Sequence, residues 1–106
     1  MKTTMYEESG EIKLIPQRFN KDADGIAHAE NYQPKTVFCK VRSATAAEVF
    51  DGGRNGLNPA YTFKVNRWEY ENETIVEYEG ERLSVYRTFR VSADEIELHV
   101  ERKAGV

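Results

Sequence analysis

A chain of 106 residues with a formal charge of −3 and one cysteine fits a single domain built around one core. Charged residues make up 31% and carry both signs, which describes a solvated surface rather than the clustered basic face of a non-specific nucleic-acid binder. One cysteine excludes a disulfide scaffold, and no run approaches the roughly 18 apolar residues of a membrane helix.

Met1–Gly10 is polar, lacks the apolar centre of a signal peptide, and reads as a flexible N-terminal arm. The chain is therefore expected in a reducing cytosol. A single domain is expected over 11–106. Glu11–Ile15 alternates, with Ile12 and Leu14 on one face, and Pro16 marks a short or edge strand. Phe19–Pro34 is a long polar loop. Its Asp22-Ala-Asp24-Gly25 faintly resembles the start of a calcium loop, but Gly25 comes too early and later ligands are missing, so a turn is predicted.

Lys35–Arg42 is a predicted strand, with Val37, Cys39 and Val41 inward and Phe38, Lys40 and Arg42 outward. Cys39 sits in that alternation as a small buried hydrophobe, since neither His28 nor His99 has a sequence context that would activate it. An outward Phe38 suits a subunit contact. Ser43–Phe50 is alanine-rich with Ser43 or Thr45 available as N-cap, which predicts one or two helical turns. Asp51-Gly-Gly-Arg-Asn-Gly56 then ends them in a second long loop.

Ala60–Tyr70 places Tyr61, Phe63 and Val65 on one face before the parity switches to Trp68 and Tyr70, which predicts a β-bulge near Asn66-Arg67. Thr74–Tyr78 and Arg82–Val91 form a hairpin about Glu79-Gly80-Glu81. Leu83, Val85, Phe89 and Val91 share the inward parity, and Arg87 interrupts it. A buried charge must pair. Glu69 and Glu77 on neighbouring strands are its expected partners, or else Arg87 lies at a subunit interface. Glu95–Arg102 alternates with Ile96, Leu98 and Val100 inside and Glu97, His99 and Glu101 outside.

The sum is a mainly β chain whose short strands suggest a sandwich or a small barrel; one modest core and a bulge favour a small six-stranded antiparallel β-barrel with one short helix and two long loops. No metal spacing, phosphate-binding glycine pattern or nucleophile elbow appears, so no catalytic, cofactor-binding or metal residue is assigned and no enzyme is expected. The series Glu69, Glu71, Glu73, Glu77, Glu79 and Glu81 reads as a solvated face. Tyr61, Phe63, Trp68, Tyr70, Tyr78, Tyr86 and Phe89 raise the alternative of an oligonucleotide-binding barrel of the OB or SH3-like kind. Alternation, however, sends several of them to the core, and the acidic flanks repel phosphate.

The order Ile12-x-Leu14, an Asp-Gly loop, Ser43-x-x-x-x-Glu48, Gly56-Leu-x-Pro59, Glu69-Tyr70, a Gly80 hairpin, Val85-Tyr-Arg-Thr88, Asp94-Glu-Ile-Glu-Leu98 and Glu101-Arg-Lys resembles the phage head closure proteins. These are the head–tail adaptor, connector or stopper proteins of tailed phages and prophages. The resemblance spans the chain from about Gly10. It implies a structural subunit of a homo-oligomeric ring, six- or twelve-fold, that closes the DNA exit channel after packaging and offers a docking surface to the tail. The implied neighbours are a portal-side adaptor and a tail-side completion or terminator protein, and DNA passes through without specific binding. The implied location is the head–tail connector of the virion, assembled in the bacterial host cytoplasm, with no membrane and no cofactor. It also implies a lumen-reaching loop, best matched by Ala44–Leu57. Its candidate gating residues are Ala46, Glu48, Val49, Phe50, Asp51, Gly52, Gly53, Arg54, Gly56 and Leu57. The glycines there lend mobility, and Val49 and Phe50 offer apolar surface to symmetry mates.

Overall fold

Side chains that alternate along six strands can bury one set when the sheet curls onto itself, and that is the observed solution. A computed structural model describes residues 6, 8–16, 19–21, 27–29 and 33–103. The elements are β1 (Glu8–Ile15), β2 (Phe19–Lys21), β3 (Ala27–Ala29), β4 (Lys35–Ser43), α1 (Ala46–Arg54), β5 (Pro59–Asn66), β6 (Ile75–Tyr78), β7 (Glu81–Arg90) and β8 (Glu95–Glu101). The closed barrel runs β1-β4-β5-β8-β7-β6, with every neighbour antiparallel. β2 and β3 pair with each other as a separate ladder inside the expected loop. The expected turn at Asp22–Gly25 and the first five residues of the expected arm lie outside the described residues. Glu8–Gly10, expected in that arm, instead open β1 opposite Cys39–Val41.

The core holds Ile12, Leu14, Val37, Phe63, Val76, Leu83, Leu98 and Val100, all essentially without exposure. Cys39 lies among them, and burial pushes its thiol up to about 11, so it is inert apolar filling. Tyr61, Phe63 and Tyr78 meet with ring centroids 5.1–5.7 Å apart, one pair stacked and two edge-on.

Irregularities bend this wall in two places, neither of them the one expected. The parity switch after Val65 is not a bulge. β5 ends at Asn66, whose side chain caps a 3₁₀ turn over Arg67–Glu69 by accepting from the Trp68 amide at 2.8 Å. The bulges fall between Pro59 and Tyr61 in β5 and between Val85 and Arg87 in β7. In β7, Val85 faces Val100 and Arg87 faces His99, so Tyr86 is the additional residue. Beyond it, Arg87 and Phe89 turn outward with His99 and Glu97. This corrects the expected inward Phe89 and Val91, which are 60% and 44% exposed.

The β6–β7 hairpin closes in two residues. Glu79 and Gly80 have φ of 51° and 81°, the pair of positive angles that a type I′ turn requires.

Candidate functional site

The helical turns expected over Ser43–Phe50, with Thr45 as one of two candidate N-caps, are observed as α1, which runs on to Arg54 through the glycines expected to form the gating loop. Thr45 Oγ1 accepts from the Glu48 amide at 3.1 Å, and Glu48 Oε1 accepts from the Thr45 amide at 2.8 Å, a complete capping box. At the other end the Leu57 amide donates to Gly52 O at 2.8 Å and the Gly56 amide to Gly53 O at 3.2 Å. Gly56 itself takes φ +77°. This is a Schellman ending. Ala46, Glu48, Val49, Phe50, Asp51, Gly52, Gly53 and Arg54 thus belong to α1, and Gly56 and Leu57 to its cap. Two well-made ends hold two poor helix formers in helical conformation. That is why Gly52-Gly53 does not break the segment.

No residue of α1 is fully buried, so its hold on the barrel is largely polar. Glu48 reaches the outer wall. Arg42 on β4 donates to both its carboxylate oxygens, at 2.7 and 3.3 Å. Burial opposes ionisation of Glu48, yet the Arg42 guanidinium and the Thr45 amide hold its carboxyl down at about 2. Beneath the helix lies His99, 2% exposed, with Thr62 Oγ1 3.2 Å from Nδ1 and Glu97 Oε1 3.3 Å from Nε2. Glu48 Oε2 is 3.6 Å from Nδ1. Tyr6 donates to the other Glu97 oxygen, and Lys64 lies over the Tyr6 ring at 4.8 Å. Burial first, and the Arg87 charge second, push the His99 imidazole below its ordinary value. A neutral ring fits both neighbours, donating from Nε2 to Glu97 and accepting at Nδ1 from Thr62.

His99 and Glu101 were expected outside and solvated. Both are buried: Glu48 of α1 lies 3.6 Å from His99, and the Asn58 amide donates to Glu101 at 3.1 Å. The hydroxyl–imidazole–carboxylate chain Thr62–His99–Glu97 has the connectivity of a nucleophilic triad. Thr62 is 1% exposed, however, so no substrate can reach the hydroxyl. The chain is a structural network that fastens helix to wall. Among the described residues, no group of three His, Cys, Asp or Glu side chains is placed to hold a metal ion. No helix there is long and apolar enough to cross a membrane.

Arg87, Glu69 and Glu77 are not brought together. The bulge turns Arg87 to solvent, Glu77 lies opposite Arg82 in the ladder and pairs with Lys13 at 3.7 Å, and Glu69 is exposed in the 3₁₀ turn. In the acidic series, Glu73 departs from a solvated face. It is buried and accepts from the Glu71 amide at 2.6 Å.

Among the described residues, the large exposed apolar side chains fall into two groups. Val49 and Phe50, 45% and 67% exposed, project from α1, which leaves the C-terminal end of β4 and returns to the N-terminal end of β5. Phe38, Trp68, Phe89 and Val91 lie toward the other ends of those strands and their neighbours. Arg67 stacks over Trp68 at 4.0 Å. Comparison with protein-family models, with curated proteins and with solved structures finds no match for this chain.

Proposed function

We propose that this chain is a structural subunit of a phage head–tail connector, forming a ring that closes the DNA exit channel and offers a surface to the tail. The observation that carries this reading is the pair of separated apolar groups, Val49 and Phe50 near one end of the barrel and Phe38, Trp68, Phe89 and Val91 toward the other. Large exposed apolar side chains cluster where a protein meets a partner. A rigid closed barrel with apolar surface toward both ends suits a subunit that contacts something above and something below. The residue order that resembles the head closure proteins supports the same conclusion. The acidic balance suits a channel wall that must let DNA slide.

In this reading the working element is α1, a clamped helix rather than a loose loop. The neighbours are a portal-side adaptor and a tail-side completion protein, and the site of action is the virion. The test is deletion of the gene in the phage or prophage that encodes it. The expected outcome is normal tails beside heads that package DNA, leak it and never join a tail. Intact joined particles overturn the reading.

One observation favours a second reading. Arg67 over Trp68 is the chemistry of a single-strand stacking platform. A gel shift with single-stranded DNA at low salt separates the two. Tight binding that is lost in Trp68→Ala favours the oligonucleotide-binding barrel.

A further inference from the structure

We propose that Phe50 on α1 of one copy seats in the cleft between β4 and β5 of a second copy, beside Phe38, giving a head-to-tail contact. This deepens the assembly reading above and rests on it for the assumption that copies of the chain join.

The cleft follows from the strand register. β4 and β5 pair only along Lys40–Ser43 and Tyr61–Lys64. Below that point β4 continues against β1 and β5 continues against β8, so the two strands part. The opening encloses about 350 Å³ and is lined by Phe38, Cys39 and Val65. That is room for a phenyl ring. An aromatic side chain filling an apolar pocket is the usual energetic anchor of a protein interface.

Charges around knob and cleft are complementary. Phe50 is flanked on the exposed helix surface by Asp51 and Arg54, whose guanidinium lies 5.9 Å from the Phe50 ring. The cleft is lined by Lys40 and Asp94, and by Lys64 and Glu95, which pair with each other at 3.7 Å. Asp51 can therefore meet Lys40 while Arg54 meets Asp94. Such pairs at an interface rim set orientation more than affinity.

The knob cannot enter the cleft of its own chain. α1 begins beyond the C-terminal end of β4, whereas the cleft opens along the N-terminal half of β4. The contact is thus between copies, and it joins two different surfaces. A heterologous contact makes a closed ring if its rotation closes, and a filament if it does not.

The test uses two variants that keep local propensity, Phe50→Ala in the helix and Phe38→Thr in the strand. Both positions are largely exposed, so melting temperatures stay at the wild-type value. In sedimentation velocity from micromolar to millimolar protein, the wild type gains mass with concentration and each variant stays monomeric. An equimolar mixture of the variants then gives a species of twice the monomer mass and nothing larger, because one intact knob finds one intact cleft. A wild type that stays monomeric throughout, a variant that associates like the wild type, or a mixture that stays monomeric overturns the proposal. A second arm is independent of the rings. Asp51→Lys weakens association and adding Lys40→Glu to the same chain restores it; failure of the restoration also overturns the proposal. If association fails while gene deletion still yields leaking heads, the contact is wrong and the connector reading stands. If association behaves as expected but deletion leaves intact particles, the connector reading falls alone.

Discussion

Gly52 lies so close to Pro59 that a Cβ built on it would fall 2.6 Å from Pro59 Cγ and 3.0 Å from Cδ. The missing side chain is what lets α1 lie against the start of β5. One residue further on, a Cβ at Gly53 meets nothing within 4 Å.

These neighbouring glycines should respond in opposite directions. Gly53→Ala gains helix propensity at no steric cost and stabilises by about 0.5–1 kcal/mol. Gly52→Ala gains the same propensity but drives α1 off the strand, with a net loss of about 1–2 kcal/mol. Urea titrations of the two variants check this. Equal stabilisation by both would mean that the helix does not bear on Pro59.

Glu48→Gln removes the carboxylate that faces Arg42, whose side chain is 10% exposed and whose Nε has no hydrogen-bond partner among the described residues. An under-partnered buried guanidinium is left behind. Stability falls by about 2–3 kcal/mol, and Arg42→Met in the same chain recovers part of it, since removing both partners costs less than removing one. A double-mutant cycle in denaturant measures the coupling.

Acid should weaken the fold in two stages. The folded His99 imidazole binds its proton less readily than the ordinary 6.5, so below that pH the unfolded chain gains the proton first and stability declines. Glu48 sits at about 2 when folded against an ordinary 4.5, so its contribution is intact above pH 4.5 and is lost as pH falls toward 2. That second stage is worth on the order of 2 kcal/mol, allowing for the partial exposure of the carboxylate. Denaturation midpoints across the acid range check both stages, and Glu48→Gln removes the second.

Arg87→Gln is expected to change stability by less than about 0.5 kcal/mol, because the side chain is in solvent. It should instead raise the His99 pKa, since the Arg87 charge is one of the influences depressing it. NMR titration of the imidazole reads the shift. A loss of several kcal/mol would mean that Arg87 is a buried, paired charge after all.

Glu79 adopts a left-handed conformation that costs a non-glycine residue about 1 kcal/mol. Glu79→Asn should recover much of this, because asparagine suits the first position of a two-residue I′ hairpin. A higher melting temperature is the expected readout.

Residue by residue, the barrel was legible wherever one face is apolar and the other meets water. Ile12 and Leu14, Val37 to Val41, Tyr61 to Val65, and Leu98 with Val100 announce their strands by period two alone. Three features left no such mark. The β7 bulge is a one-residue excess, and Tyr86 is as ordinary in a regular strand as in a bulged one. The persistence of α1 through Gly52-Gly53 depends on caps that outweigh the local preference. The burial of His99 and Glu101 on a nominally outer face depends on contacts from α1 and Asn58, which is a tertiary fact. The network around His99, the densest polar chemistry described, thus draws its members from the N-terminal segment, β4, α1, β5 and β8, positions that no local pattern unites.

The short seams of the barrel have a mechanical meaning. β1 meets β6 only along Lys13–Ile15, and β4 meets β5 only along Lys40–Ser43, whereas β1 and β4 are zipped together over almost their whole length. The β6–β7 seam, Ile75–Tyr78 against Glu81–Ser84, is no longer than that of β4 and β5, but a two-residue turn ties its strands, so the wall divides into a two-strand flap and a four-strand trough. Under load the sheet would part along those two lines, and the flap would swing out as one piece with its ladder unbroken. In hydrogen exchange such a flap opens as a single cooperative unit, ahead of the β5–β8–β7 trough that carries Phe63, Leu98 and Val100.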